Sequence, residues 1–218
     1  MQRGVLYAKV RVSDDKHLQL YTLHTQCTNV DYAANYIPVV RGVRDITMEE
    51  VVELLDETMD GRSTAILSGD FNITRYPLNQ ILLGRFFALA PDIAGYIGVI
   101  ESEYDGLVET LRNRGKFNVA DCWLRDNDSS NKQVSKESEG GFDPYCPRLC
   151  ITFGDTRAIE GTQGLKESER EPLETMQTVG ADLYYHNCLD YVFQISRKGG
   201  EAPADFKVSN TRVEKQLA

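Results

Sequence analysis

The first residues of the chain alternate between apolar and polar side chains. Residues 4–12 and residues 18–23 both follow this period-two pattern, and the polar residues between them are typical of a turn. The pattern therefore predicts an antiparallel hairpin at the start of the sequence, so that the chain enters a sheet at once.

A helical pattern follows the hairpin. Apolar residues spaced three and four apart predict a helix over residues 44–59, with a start that could lie a few residues earlier. Thr47 and Glu50 predict a capping box, and Asp60 and Gly61 predict the end of the helix. The apolar stripe consists of Met48, Val51, Val52, Leu55 and Met59.

The next apolar run, residues 65–67, predicts a buried strand that ends at Ser68 and Gly69. Strand, helix and strand in this order predict a crossover unit. Alternation along an extended chain places Asp70 and Asn72 on one side and turns Phe71 toward the core. A carboxylate beside a carboxamide can hold a hard cation or a water, and the alternative is a strand followed by an Asx turn.

The second half of the sequence carries weaker signals. Residues 80–100 are apolar but interrupted by glycine and proline, so they predict an insertion of undefined form. Residues 104–112 predict a short helix, and residues 119–123 predict a brief strand or turn that holds the only tryptophan. The remaining predicted strands are residues 150–153, 183–195 and 206–213, and the predicted flexible loops are residues 125–148 and 155–181.

Composition fits one soluble domain, residues 1–218, with a hydrophobic content of 41%. No apolar run is long enough to span a bilayer and no leader is visible at Met1, so we expect a cytoplasmic or peripheral membrane protein. The five cysteines show no zinc-type pairing. Cys146 and Cys150 could close a small disulfide, but free thiols are favoured. The formal net charge of −9 disfavours nucleic-acid binding by electrostatics alone, although a bound cation can change that balance locally.

Several motifs occur in an order that resembles the endonuclease/exonuclease/phosphatase superfamily of metal-dependent phosphoesterases. Within it, the chain looks most similar to the neutral sphingomyelinase branch. These motifs span nearly the whole chain, and their ordered set is more specific for the superfamily than for the branch. They are Gly4-Val5-Leu6, His24-Thr25-Gln26, Gly69-Asp70-Phe71-Asn72, Tyr104-Asp105, Asp121-Cys122-Trp123, Thr152-Phe153 and Leu189-Asp190-Tyr191.

The resemblance implies in-line attack of water on a phosphodiester, with Mg²⁺ or Mn²⁺ neutralising charge on the phosphoryl oxygens. It implies that Asp70 orients or deprotonates the water and that Asn72 holds phosphate or metal beside it, so both are candidate metal ligands. His24 matches a histidine that donates to a phosphate oxygen or stabilises the leaving group. Asp190 matches the carboxylate that orients a general-base histidine. On its residues alone, Asp190 would be a buried, hydrogen-bonded strand carboxylate.

The resemblance also implies the architecture. The fold class expected from it is α+β, a DNase-like four-layer α/β/β/α sandwich of two mostly antiparallel sheets, whereas spacing alone supports only a mixed α/β domain. The active site is expected at one rim, where the loops after His24, Asn72 and Asp190 converge. Asp121 and Trp123 are expected to pack and cap rather than to catalyse.

The sequence departs from the superfamily at both ends. The superfamily carries a metal-binding Asn and Glu ahead of the first motif and a closing Asp-His motif, and neither occurs here. We therefore expect an incomplete domain, a fragment of a longer sphingomyelin phosphodiesterase-like enzyme, with little hydrolytic activity alone. The expected substrate is a phospholipid. The alternatives are a nuclease of the AP endonuclease type and a non-catalytic binding or scaffolding protein that kept the fold.

Overall fold

The structure is a computed structural model that describes residues 4–14, 17–27, 34–73, 103–127, 189–200 and 208–209. The strands within these residues are β1 (Val5–Arg11), β2 (His17–His24), β3 (Thr64–Asp70), β4 (Phe117–Asp121) and β5 (Asp190–Arg197). The helices are α1 (Ile37–Thr58), α2 (Glu103–Arg112) and α3 (Cys122–Asn127), with 3-10 turns at Ala34–Tyr36 and Asn113–Gly115.

The described strands form one five-stranded sheet in the order β1-β2-β3-β5-β4. Strands β1 and β2 pair antiparallel, which confirms the predicted hairpin. Strands β2 and β3 pair in parallel through the crossover helix α1, as the strand–helix–strand pattern predicts. Strand β5 pairs antiparallel with both β3 and β4, so its first residue lies where β3 ends.

Helix α1 begins at Ile37, seven residues before the predicted start at residue 44. Pro38 lies in its first turn, where a missing backbone N–H costs no hydrogen bond. The predicted capping box is wrong, because Thr47 lies inside the helix and its Oγ1 donates to the carbonyl oxygen of Val43 at 2.9 Å. The predicted apolar stripe from Met48 to Met59 is buried, as expected.

The core lies between α1, α2 and one face of the sheet. Phe71 is fully buried there, which confirms its predicted inward orientation. The same face of the sheet contributes Tyr21, Leu23, Leu67, Tyr191, Phe193 and Ile195. On the opposite face Leu6 is 70% exposed. The described residues therefore form a mixed α+β unit with one sheet, and the four-layer sandwich is not confirmed.

Strand β3 continues through Ser68 and Gly69, so the prediction that these residues end it is wrong. Gly69 has φ of +141°, and a Cβ atom at this position would lie 1.9 Å from the carbonyl oxygen of Leu23. The glycine therefore permits close approach of the neighbouring strand rather than a turn.

The helix predicted at residues 104–112 is confirmed as α2. Residues 119–123 divide between β4 and α3, and Asp121 joins them because its Oδ1 accepts from the backbone N–H of Leu124 at 3.0 Å. Its Oδ2 accepts from the Tyr104 hydroxyl at 2.9 Å. Asp121 therefore caps and packs as expected, and Trp123 is buried.

Several predictions lie outside the described residues. They concern residues 80–100, 150–153 and 183–188, the strand at 206–213 apart from residues 208–209, Cys146 with Cys150, and loops 125–148 and 155–181 apart from residues 125–127, which belong to α3. Among the described residues, neither Cys27 nor Cys122 forms a disulfide. Among the described residues, the helices are too short or too polar to cross a bilayer.

Candidate active site at one end of the sheet

Three of the predicted site residues lie at adjacent strand ends. His24 ends β2, Asp70 ends β3 and Asp190 begins β5. In the sheet register His24 pairs with Asp70, and Asp70 pairs with Asp190. Residues directly opposite each other project to the same face of a sheet, so these three side chains lie on one face at this end of the sheet.

The imidazole of His24 contacts the carboxylate of Asp70. The distance from Nε2 to Oδ2 is 3.4 Å, and the two side chains are 60% and 33% exposed. The pair carries opposite charges only when His24 is protonated. Because both groups reach solvent, a ligand can approach them without any rearrangement of the core.

Asp190 lies on the other side of Asp70. The backbone N–H of Phe71 donates to the carbonyl oxygen of Leu189 at 2.9 Å, so the next pair, Asp70 and Asp190, is a non-hydrogen-bonded pair. The Cα atoms of such a pair are about 4.5 Å apart, which brings the side chains close. This pairing therefore places two carboxylates at the same end of the sheet.

Two expectations about Asp190 are wrong. Its side chain is exposed rather than buried. It also begins its strand, so the segment before it, and not the loop after it, meets the ends of β2 and β3. The physical reason is that β5 runs antiparallel to β3, which places its first residue at the strand terminus and at solvent.

Asn72 lies beyond the strand in a left-handed backbone conformation with φ of +51°, which asparagine tolerates better than most residues. The alternation that was expected to align it with Asp70 therefore does not apply. Its backbone N–H donates to Oδ1 of Asp70 at 2.8 Å, the Asx turn that the sequence left as an alternative. Its side-chain Nδ2 donates to the carbonyl oxygen of Thr25 at 3.1 Å, which leaves Oδ1 as the end that can accept from a ligand.

Thr25 holds the ends of β2 and β3 together, a role that the sequence analysis missed. Its backbone N–H donates to the carbonyl oxygen of Asp70 at 3.0 Å. Its hydroxyl donates to the carbonyl oxygen of Phe71. The signal in the sequence is a hydroxyl residue directly after the end of β2, between His24 and Gln26. Its burial is known only from the structure.

A buried ion pair between Arg44 and Glu103 lies next to the segment of Thr25 and Gln26. The Arg44 side chain is 1% exposed and that of Glu103 is 4% exposed. Arg44 donates from Nε and Nη2 to the two carboxylate oxygens of Glu103 at 2.7 and 2.8 Å. Burial raises the pKa of the Glu103 carboxyl, and the Arg44 guanidinium opposes that rise. The sequence signal was an arginine four residues before Met48, on the apolar stripe of α1.

The side chains at this end suit a hard divalent cation in type. Asp70 and Asp190 supply carboxylate oxygens, and Asn72 supplies an amide oxygen. Within the described ranges there is no group of three or more His, Cys, Asp or Glu side chains that could hold a metal ion.

Comparisons with known proteins gave structural neighbours only. No family profile and no curated sequence matches the chain. A β-hairpin deletion mutant of beta toxin from Staphylococcus aureus is 15% identical, with a TM-score of 0.46 over 99% of this chain and 50% of that chain. TDP2 from D. rerio, solved with a single-strand DNA product, is 15% identical, with a TM-score of 0.44 over 91% of this chain and 48% of that chain.

A third neighbour is described as an endonuclease/exonuclease/phosphatase, the superfamily whose motifs this sequence resembles. This protein, from Beutenbergia cavernae, is 15% identical, with a TM-score of 0.40 over 89% of this chain and 32% of that chain. The chain thus spans half the length of these neighbours or less. Likeness at this level carries no argument about chemistry, which depends on the residues of the site itself.

Proposed function

We propose that this chain carries one side of the active site of a metal-dependent phosphodiesterase, a phosphoric diester hydrolase. The observation that supports it is the pairing of His24, Asp70 and Asp190 in one register at one end of the sheet. We propose that the imidazole, the two carboxylates and the carboxamide of Asn72 face a common space. This set can bind, orient and exchange protons with a phosphodiester and a water.

Each side chain has a proposed role. Asp70, whose Oδ1 is held by the Asn72 backbone, orients the attacking water and accepts its proton. His24, when protonated, donates to a phosphate oxygen or to the leaving oxygen. Asn72 presents its amide oxygen because its nitrogen is engaged with Thr25. Asp190 fixes the orientation of a basic group that approaches from its exposed side.

Asp70 and Asn72 are the proposed metal ligands, with Asp190 beside them. A bound Mg²⁺ or Mn²⁺ would supply positive charge against the phosphoryl oxygens. The direct pairing of Asp70 and Asp190 supports this proposal, since it places two carboxylates at one end of the sheet and Mg²⁺ prefers oxygen ligands.

We also propose that a second sheet covers the exposed face of this sheet, which would give the four-layer sandwich. Three apolar side chains on that face support this, with exposed fractions of 70% for Leu6, 41% for Val10 and 38% for Leu20. The Gln194 side chain, on the same face, accepts from the backbone N–H of Val208 at 3.3 Å. The chain therefore returns to this face after β5.

The proposed substrate is a phospholipid with a phosphocholine head group, as in a sphingomyelinase. The net charge of −9 supports it over nucleic acid, because DNA binding depends strongly on positive charge. A nuclease and a non-catalytic binding protein are competing functions that the experiments below distinguish.

The metal site can be tested by titrating the chain with Mn²⁺ and following its NMR signals, because a paramagnetic ion broadens nearby nuclei even when it binds weakly. We expect broadening of the His24 imidazole and the Asn72 backbone amide before other signals. Asp70→Asn should weaken binding at least about tenfold. Broadening spread evenly over the chain, or unaffected by Asp70→Asn, would contradict the proposal.

The substrate class can be tested on the same chain by competition between glycerophosphocholine and a DNA dinucleotide in the presence of Mg²⁺. We expect tighter binding of the phosphocholine diester and little turnover of either compound by this chain alone. Tighter binding of the dinucleotide would favour the nuclease, and binding of neither would favour the non-catalytic protein. Rapid hydrolysis would contradict the expectation that the chain alone is inactive.

A further inference from the structure

We propose that Arg44 and Glu103 are positioning residues that set the orientation of the Asn72 carboxamide through the backbone of Thr25 and Gln26. The inference rests on the proposed function, because it assigns the pair a role in shaping the metal and phosphate site.

The pair is rigid. Two parallel hydrogen bonds at 2.7 and 2.8 Å fix the plane of the guanidinium against the carboxylate. Both side chains are almost fully buried, so water does not compete for these bonds. A lysine could supply the charge here, but not the planar fork.

The third bond of the guanidinium reaches the site. Nη1 of Arg44 donates to the carbonyl oxygen of Gln26 at 2.9 Å. In the preceding residue, the carbonyl oxygen of Thr25 accepts from Nδ2 of Asn72 at 3.1 Å. The backbone N–H of Thr25 donates to the carbonyl oxygen of Asp70. Asp70 and Asn72 thus hydrogen-bond to residues 25–26, and Arg44 binds the carbonyl oxygen of this same segment.

Energetics favour a directional role over a stabilising one. A buried ion pair loses the hydration of both charges, and apolar residues of similar volume often stabilise a protein as well or better. A fixed hydrogen-bond direction is what apolar residues cannot supply. The geometry therefore indicates that the Arg44–Glu103 pair contributes by fixing the position of residues 25–26.

The test compares Arg44→Lys and Glu103→Gln with Arg197→Lys as the matched control. Arg197 also donates to a carboxylate and to backbone carbonyls, but at the opposite end of the sheet. Three quantities are measured for each variant. They are the Asn72 side-chain amide signal, the hydrogen exchange of the Thr25 backbone amide, and the affinity for Mn²⁺.

We expect Arg44→Lys and Glu103→Gln to shift the Asn72 side-chain amide signal. Both should speed hydrogen exchange of the Thr25 backbone amide about tenfold relative to amides in the middle of β3, and both should weaken Mn²⁺ binding about tenfold. Arg197→Lys should leave all three quantities unchanged. If Arg44→Lys unfolds, Glu103→Gln decides the question, since its amide oxygen keeps one acceptor for the guanidinium at the same side-chain length.

Folded variants with an unchanged Asn72 signal and unchanged Thr25 exchange would overturn the proposal. If the wild-type chain binds no Mn²⁺, the proposed function fails, while the Asn72 signal and Thr25 exchange still decide whether the pair positions this segment. A loss of Mn²⁺ affinity in Arg197→Lys of the same size would show a general effect of stability and would also overturn it.

Discussion

Two arginines join helix α1 to the rest of the molecule, and they differ in burial. Arg44 lies in the first half of the helix, and Arg197 reaches the C-terminal end of the helix from β5. Near its start, Arg44 is 1% exposed and binds Glu103 and the carbonyl oxygen of Gln26. Near its end, Arg197 from β5 is 28% exposed and binds the Asp56 carboxylate at 2.8 Å. Arg197 also donates to the carbonyl oxygens of Asp56 and Met59 at the C-terminal end of the helix.

The difference in burial gives the two arginines different consequences. At the C-terminal end, solvent screens the charges, and Lys116 adds a second cation at 2.6 Å from Asp56, so loss of one partner leaves no isolated buried charge. Near the helix start, loss of either partner removes the bidentate hydrogen bonds of a charge that stays buried. An arginine–carboxylate pair therefore stabilises the end of α1 in the case of Arg197. In the case of Arg44 we propose that it positions the residues of the candidate site.

Removal of one member of the buried pair should have the largest effect. Glu103→Ala removes the Glu103 carboxylate from the buried Arg44 guanidinium and should lower the free energy of unfolding by about 3–5 kcal/mol. Urea denaturation followed by circular dichroism measures this. The double substitution Arg44→Met with Glu103→Met should be less destabilising, and a cost below about 1 kcal/mol for Glu103→Ala would contradict the account.

The close approach of β2 and β3 at Gly69, near the candidate site, gives the next largest expected effect on stability. Gly69→Ala should cost about 3 kcal/mol, since its Cβ would lie 1.9 Å from the Leu23 carbonyl oxygen in a backbone conformation with positive φ. Gly42→Ala in α1 is the control, because nothing lies within 4 Å of its Cβ position. It should stabilise the protein by about 0.5–1 kcal/mol. Equal effects in thermal melts would refute the packing argument.

The partly exposed attachment by Arg197 should contribute less to stability. Arg197→Ala removes hydrogen bonds to two carbonyls at the helix end, and removes the guanidinium that lies 5.4 Å from the Phe117 ring centre. We expect a loss of about 1–2 kcal/mol in the free energy of unfolding. The His24 imidazole signals should stay at their wild-type positions, and a shift there would mean that the two ends are coupled.

The smallest effect is a pH dependence at Asp56. Hydrogen bonds from Lys116 and then Arg197 lower the pKa of this carboxyl below its ordinary value of 3.8. Its contribution is therefore present above that value and is lost as the pH falls through the folded-state pKa. The melting temperature of Asp56→Asn should lie below that of wild type at pH 7, and the gap should narrow below about pH 3.8. A constant gap would exclude this carboxylate as the cause.

Local sequence patterns were sufficient for much of the fold. Alternation predicted the hairpin, the three-and-four spacing predicted the buried stripe of α1, and the strand–helix–strand order predicted the parallel pairing of β2 and β3. These features depend on the period of each element and on which side it buries. The candidate site residues came from the order of motifs, because each motif alone fits an ordinary strand end or turn.

Only the tertiary structure decided what depends on distant segments. The register that aligns His24, Asp70 and Asp190, the exposure of Asp190 and the pairing of Arg44 with Glu103 follow from contacts between elements far apart in sequence. A period fixes the face on which a side chain lies. It cannot fix the neighbour that a strand takes, or the charge that a buried arginine meets, because those depend on packing between elements.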